Sequence, residues 1–128
     1  MGYYSDVMIA TTKKDYNKIV NALNKLPDKY LVESVEAEEY KENNIECVFF
    51  RFDYIKYYKE FEDIQVLEKS LSKAKDGYVF CRMGEENGDI EFRKRSKLPE
   101  LMKEFEFVRE INDSLSKELE EEEEEEFE

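Results

Sequence analysis

The run Ile45-Glu46-Cys47-Val48-Phe49-Phe50-Arg51-Phe52, followed by Asp53-Tyr54-Ile55-Lys56-Tyr57-Tyr58-Lys59-Glu60-Phe61 and then by Ile64, Leu67, Leu71 and Ala74, decides the fold. Its first eight residues are the most β-prone run in the chain, because β-branched and aromatic side chains suit a pleated, largely buried surface. They predict a central strand. The next nine set Tyr54, Tyr57, Tyr58 and Phe61 among charges, and the last four recur at helical spacing. A strand, an aromatic connection and a helix therefore follow one another.

Upstream of this unit, Asn43-Asn44 predicts a tight hairpin, since asparagine accepts left-handed turn conformations. Leu31, Val35 and Ala37 alternate with polar residues, which predicts its first strand over Leu31 to about Glu39. Tyr3 to Ala10 is another β-prone run, with Tyr4, Val7 and Ile9 at its apolar surfaces. Thr12 caps the helix that follows, with Asp15 at its third position. Tyr16, Ile19, Val20, Leu23 and Leu26 form the apolar stripe of that helix, and Pro27 stops it.

Downstream, acids at Glu62 and Asp63 suit the positive end of the second helix, which ends before Asp76-Gly77. Tyr78 to Met83 and Ile90 to Arg93 then flank Gly84-Glu85-Glu86-Asn87-Gly88 as a hairpin, with Gly84 and Gly88 supplying positive φ. The order β-α-β-β-α-β-β predicts an α+β fold: a ferredoxin-like split β-α-β-β-α-β core with an added hairpin strand. Helices cover one sheet face, and the other must be covered or used. Leu98 to Leu119 fits both a helical stripe and a strand over Phe105 to Ile111 set off by Leu98-Pro99, so a further C-terminal strand or helix is expected. The strand is preferred there. Residues 1–117 read as one α+β domain, and residues 118–128 as an acidic disordered tail.

Composition narrows the chemistry. The chain has 128 residues and no histidine, which excludes Ser-His-Asp and Cys-His catalysis and every histidine-ligated metal. Cys47 and Cys81 each lie in an apolar run, without the CxxC spacing of a zinc site, and read as buried thiols. The net charge of −13 is uneven: nine of the 33 acidic residues fall within Glu118 to Glu128, and the preceding 117 residues carry 24 acids against 20 bases. Gly2-Tyr3-Tyr4-Ser5-Asp6 does not look like a signal peptide, and no stretch approaches the ~20 apolar residues that span a bilayer. A soluble protein of the cytoplasm is expected, with no membrane partner.

At YYSDVMIATTKKDYNKIV (residues 3–20), DYIKYYKEFEDIQVLEKSL (53–71) and FCRMGEENGDIEFR (80–93) the chain resembles small uncharacterised proteins carried by bacteriophages and prophages. These share a Tyr-x-Ser-Asp-Val strand, an Asp-Tyr-x-Lys-aromatic-Tyr segment and a Met-Gly-Glu-Glu type of turn. The resemblance covers most of residues 3–95 and leaves the C-terminal third unmatched. It carries no catalytic residues. It implies a setting in which proteins of this size block host defences or modulate a host protein by binding, as anti-CRISPR proteins and DNA mimics do.

Two clusters are candidate partner-binding positions. One is the aromatic segment with Asp53, Tyr54, Lys56 and Tyr57, since aromatic rings and cations are favoured at interface centres. The other is the acidic turn with Glu85, Glu86 and Asp89, where spacing without histidine or cysteine is unspecific for metal. Rings on a central strand of such a sheet also fit RNA recognition, but Glu46 and Cys47 stand where a basic residue and a glycine are needed, and an acidic body repels phosphates. Arg93-Lys94-Arg95 and Lys97 form one basic island, read as a solvated strand end, a partner for the tail or a phosphate site. The expected protein is non-enzymatic, needs no cofactor or metal, and binds a host protein with a basic nucleic-acid-binding surface rather than nucleic acid itself. The competing classes are a carboxylate-only metal-dependent hydrolase or nuclease and a self-assembling phage component.

Overall fold

A computed structural model describes residues 2–105 of the chain. In order they form β1 (Ser5–Thr12), α1 (Lys13–Asn24), α2 (Tyr30–Ser34), β2 (Glu36–Glu42), β3 (Ile45–Ile55), α3 (Glu62–Ser72), β4 (Val79–Gly84), β5 (Ile90–Lys94) and a 3-10 helix (Pro99–Phe105). The strands build one antiparallel sheet in the order β2-β3-β1-β4-β5. Two interleaved β-α-β units with α1 and α3 as crossovers produce the first four places, and β5 adds the hairpin strand. The α+β, ferredoxin-like reading of the element order holds.

Successive residues of a strand face opposite sides of the sheet, so a strand covered on both sides must be apolar throughout. β1 meets that condition, being buried at every position from Val7 to Thr12. Val7 and Ile9, with Phe50, Phe52 and Phe80 from β3 and β4, pack beneath Ile19 and Leu23 of α1 and Ile64, Leu67 and Leu71 of α3. Each fully buried Leu or Ile side chain here contributes on the order of 1.5–3 kcal/mol. Met8, Ala10, Cys47, Val79 and Cys81 face the other way, where Leu101 and Phe105 of the 3-10 helix cover them. Both thiols are buried, as their apolar neighbours predict.

Local signals explain most boundaries. The Thr12 hydroxyl accepts from the Asp15 amide at the start of α1, and the buried Asp15 carboxylate accepts from the Lys75 and Asp76 amides, tying α1 to the loop before β4. Asn43 and Asn44 both take positive φ (52° and 64°) in the β2–β3 turn.

Four expectations change. Tyr30–Ser34 is a short helix and not strand: Leu31 is buried against the helix-side core, and its carbonyl accepts from Val35, so β2 begins only at Glu36. β3 runs three residues past Phe52 because a bulge lets Asp53-Tyr54-Ile55 stay in the sheet. Gly84 has no positive φ; in the β4–β5 turn only Gly88 does, at 81°. Phe105, the proposed start of a last strand, closes the 3-10 helix, since Pro99 suits a helical first turn and Leu101 and Phe105 bury the same side of it. The rest of that proposed strand, the domain boundary at residue 117 and the glutamate run lie outside the described residues.

Candidate functional site

β1 begins where β3 and β4 end: Ser5 pairs with Ile55 on one side and with Gly84 on the other. The register shifts between Ser5 and Val7, because Val7 pairs with Phe52 while Ser5 already faces Ile55. The one extra residue on β3 makes a bulge, and Tyr54 takes a left-handed φ of 54° without being glycine. That conformation costs roughly 1–2 kcal/mol. Two contacts offset it. The Tyr54 amide donates to Asp6 at 2.8 Å, and its ring stacks on Tyr4 at 4.1 Å between centroids and 8° between planes. A stacked pair is worth about 0.5–1.5 kcal/mol beyond its buried area. The outer side of the ring stays open, leaving Tyr54 62% exposed.

The residues just before β1 lace this bulge to the β4–β5 turn. The Tyr3 amide donates to the Tyr58 hydroxyl at 2.6 Å, and the Tyr3 hydroxyl donates to Asp89 and accepts from the Glu86 amide. The Tyr4 amide donates to the Glu85 carboxylate at 3.1 Å. Gly84 leaves room for this lacing: a Cβ there would stand 2.1 Å from Asp89 Oδ2 and 2.3 Å from the Tyr3 hydroxyl. Arg82 grips Asp89 with two nitrogens, at 2.9 and 3.2 Å, and also donates to Glu91 and Ser5. The Arg82 and Tyr3 hydrogen bonds hold the Asp89 carboxyl below the usual aspartate range.

Two clefts open beside this end of the sheet. The first, about 540 Å³, lies between α2 and the start of α3, with Tyr4, Tyr30 and Phe61 as aromatic walls. The second, about 640 Å³, lies between α3 and the β4–β5 pair, over Tyr57, Glu68, Arg82 and Arg93. Arg93 holds Glu68 through two nitrogens, at 2.6 and 2.9 Å, and stacks 3.9 Å above Phe80. Tyr57 donates to Glu68 and packs on Phe80. Burial works against the charged form of Glu68, but the Arg93 and Tyr57 hydrogen bonds outweigh it and its pKa falls. The guanidiniums of the second cleft are thus already paired internally.

All seven candidate positions lie at this end. Tyr54 is exposed on the bulge; Asp53 is exposed and paired with Arg51 at 2.9 Å; Lys56 lines the first cleft, with its ammonium 5.7 Å from the Tyr4 centroid. Tyr57 is half-buried in the second cleft. Glu85 and Asp89 act within the turn, and Glu86 joins it through its backbone. Tyr3, Tyr4, Tyr30 and Arg82 were not foreseen as part of the site. The adjacent Tyr3-Tyr4 pair before an apolar strand was the available signal. Of the basic island, Arg93 is an internal ion-pair partner, while Lys94 and Arg95 are exposed.

Among the described residues no three His, Cys, Asp or Glu side chains are grouped to hold a metal ion, and no helix is long and apolar enough to cross a membrane. The chain matches no protein-family model, no curated protein and no solved structure.

Proposed function

We propose that this protein works by binding another protein through the Tyr4–Tyr54 end of its sheet, without catalysis. One observation carries the reading: the exposed large apolar side chains among the described residues, Tyr30, Tyr54 and Phe61, belong to the two neighbouring features at this end, the bulge and the first cleft. An aromatic centre with a polar rim is the anatomy of a protein interface, and tyrosine is favoured among residues that dominate binding energy. The rim here is acidic on balance, with Asp53, Glu60, Glu62, Glu85 and Glu86 exposed beside the bases Arg51, Lys56 and Lys59. Such a rim attracts a basic partner at long range and repels nucleic acid.

With the resemblance to bacteriophage and prophage proteins, this supports an accessory protein that acts in the host cytoplasm. Its partner is a host protein whose basic surface handles nucleic acid, as in a defence complex, and carboxylates of the rim take the places of phosphates. The test is capture from nuclease-treated bacterial lysate with wild-type protein and with Tyr54→Ala. A protein retained by the wild type and lost with Tyr54→Ala, with retention weakening as salt rises, is the expected result. Equal retention by both forms would place binding elsewhere and overturn the reading.

A further inference from the structure

The first cleft has a composition that rings alone do not explain. Tyr30 and Phe61, two of its aromatic walls, are 50% and 38% exposed. Rings of this kind would accept any apolar group. The charges are selective: Asp28, Glu60, Glu62 and Asp63 line the same cleft, and Lys56 is the one base among the lining residues. Glu62 and Asp63 sit in the first turn of α3. Their two full negative charges exceed the roughly half positive charge of a helix N-terminus, so the local field favours a cation.

The chain itself places a cation against one wall, since the Lys56 ammonium stands 5.7 Å from the Tyr4 ring centroid. A cation near a ring face is stabilised by about 0.5–2 kcal/mol, more as water is excluded. Burial pushes the Asp63 carboxyl above its ordinary range, with the charges of Asp28 and Glu62 adding to the rise against the Ile64 amide. An arriving positive group would relieve that cost.

We propose that this cleft is the receptor for an arginine side chain presented by the protein partner. The inference rests on the protein-binding reading above and adds the residue type that is recognised. Arginine fits better than lysine because its planar guanidinium stacks on aromatic faces and pairs with carboxylates through two parallel hydrogen bonds. Tyr30 and Phe61 supply the stacking surface, since Tyr4 is already stacked on Tyr54, and Glu60 and Asp63 supply the acceptors.

The test uses the full chain and a fluorescein-labelled glycine peptide carrying two arginines, with a citrulline peptide of the same shape and no charge. Fluorescence anisotropy should show the arginine peptide binding about tenfold more tightly than the citrulline peptide, a gap of about 1.4 kcal/mol. Tyr30→Ala and the double variant Glu60→Gln, Asp63→Asn should each weaken it about fivefold or more, with unchanged circular dichroism. Equal affinity in wild type and both variants would locate the binding on acidic surface elsewhere and overturn the receptor. Equal affinity for the citrulline peptide would overturn it too. If Tyr54-dependent capture of a partner succeeds while the peptide distinguishes nothing, the arginine receptor alone fails; if that capture fails, the protein-binding reading fails first.

Discussion

Tyr4 and Tyr54 stack face to face at 4.1 Å, although one precedes the first strand and the other sits on a bulge near the end of the third. Their contact joins a strained backbone to an exposed aromatic surface. The strain and the surface can be separated by substitution. Tyr54→Gly removes the ring and also the left-handed cost of roughly 1–2 kcal/mol, whereas Tyr54→Ala removes the ring and keeps the strain. The glycine variant should therefore be more stable than the alanine variant by about 1 kcal/mol in urea unfolding, with partner binding lost in both. An alanine variant as stable as the glycine one would mean that the bulge does not hold this conformation in solution.

Alanine at Gly84 and at Gly88 should destabilise for different reasons, crowding at the first and backbone strain at the second. Gly88→Ala meets no neighbouring atom and pays only for its φ of 81°, on the order of 1 kcal/mol. Gly84→Ala must displace the Tyr3 hydroxyl or Asp89 and should cost about 1–3 kcal/mol, as when a hydrogen-bonded network is broken. Adding Tyr3→Phe to Gly84→Ala should cost little more, because the bond it removes is already gone. Simple additivity of the two changes in a double-mutant cycle would sink this account.

Two carboxylates of the tyrosine end contribute to the acid limb of stability. Asp89 and Glu68 both titrate lower in the folded protein than their ordinary values of about 3.9 and 4.3. A group of lowered folded pKa stabilises the fold above its unfolded value, and that contribution disappears as pH falls through the folded one. Wild-type stability should thus drop below about pH 4. Asp89→Asn and Glu68→Gln should each be less stable at pH 7 and flatten the decline, since neither variant has that proton to take up. Parallel wild-type and variant curves from pH 6 to 2 would contradict the assignment.

Cys47 and Cys81 should label slowly with a thiol reagent at pH 8 and rapidly in denaturant. Both are fully buried, and burial raises both thiol pKa values, that of Cys81 to about 11, so reactive thiolate is scarce as well as inaccessible. Fast labelling of the native protein at either position would be incompatible with the sheet as described.

The regular parts of this fold were legible because each carries its own local signal. Thr12 and Asp15 announce α1, the β-prone run around Phe50 announces β3, and Asn43-Asn44 announces its hairpin with β2. Leu31 and Val35 misled because a spacing of four residues fits a five-residue helix as well as a strand, and so short a helix shows no full period. The bulge left no trace because its left-handed residue is a tyrosine and not a glycine. The acidic turn and the aromatic segment were each visible, but not their union. That union depends on Tyr3 and Tyr4, whose partners Asp89 and Glu85 lie 86 and 81 residues away. Periodicity says nothing at that range.

The central place of β1 also sets an order of assembly. A chain made from its N-terminus produces β1 first, yet both neighbours of that strand, β3 and β4, are encoded much later. The β2–β3 hairpin can close early by local contacts, whereas β1 must wait for long loops to be drawn in. The Tyr3–Asp89 bond can form only after residue 89 has been made, so the aromatic end is among the last parts to exist. Nascent or prematurely ended chains would carry the tyrosines without the surface, and a partner that grips this end would select only molecules whose sheet is finished.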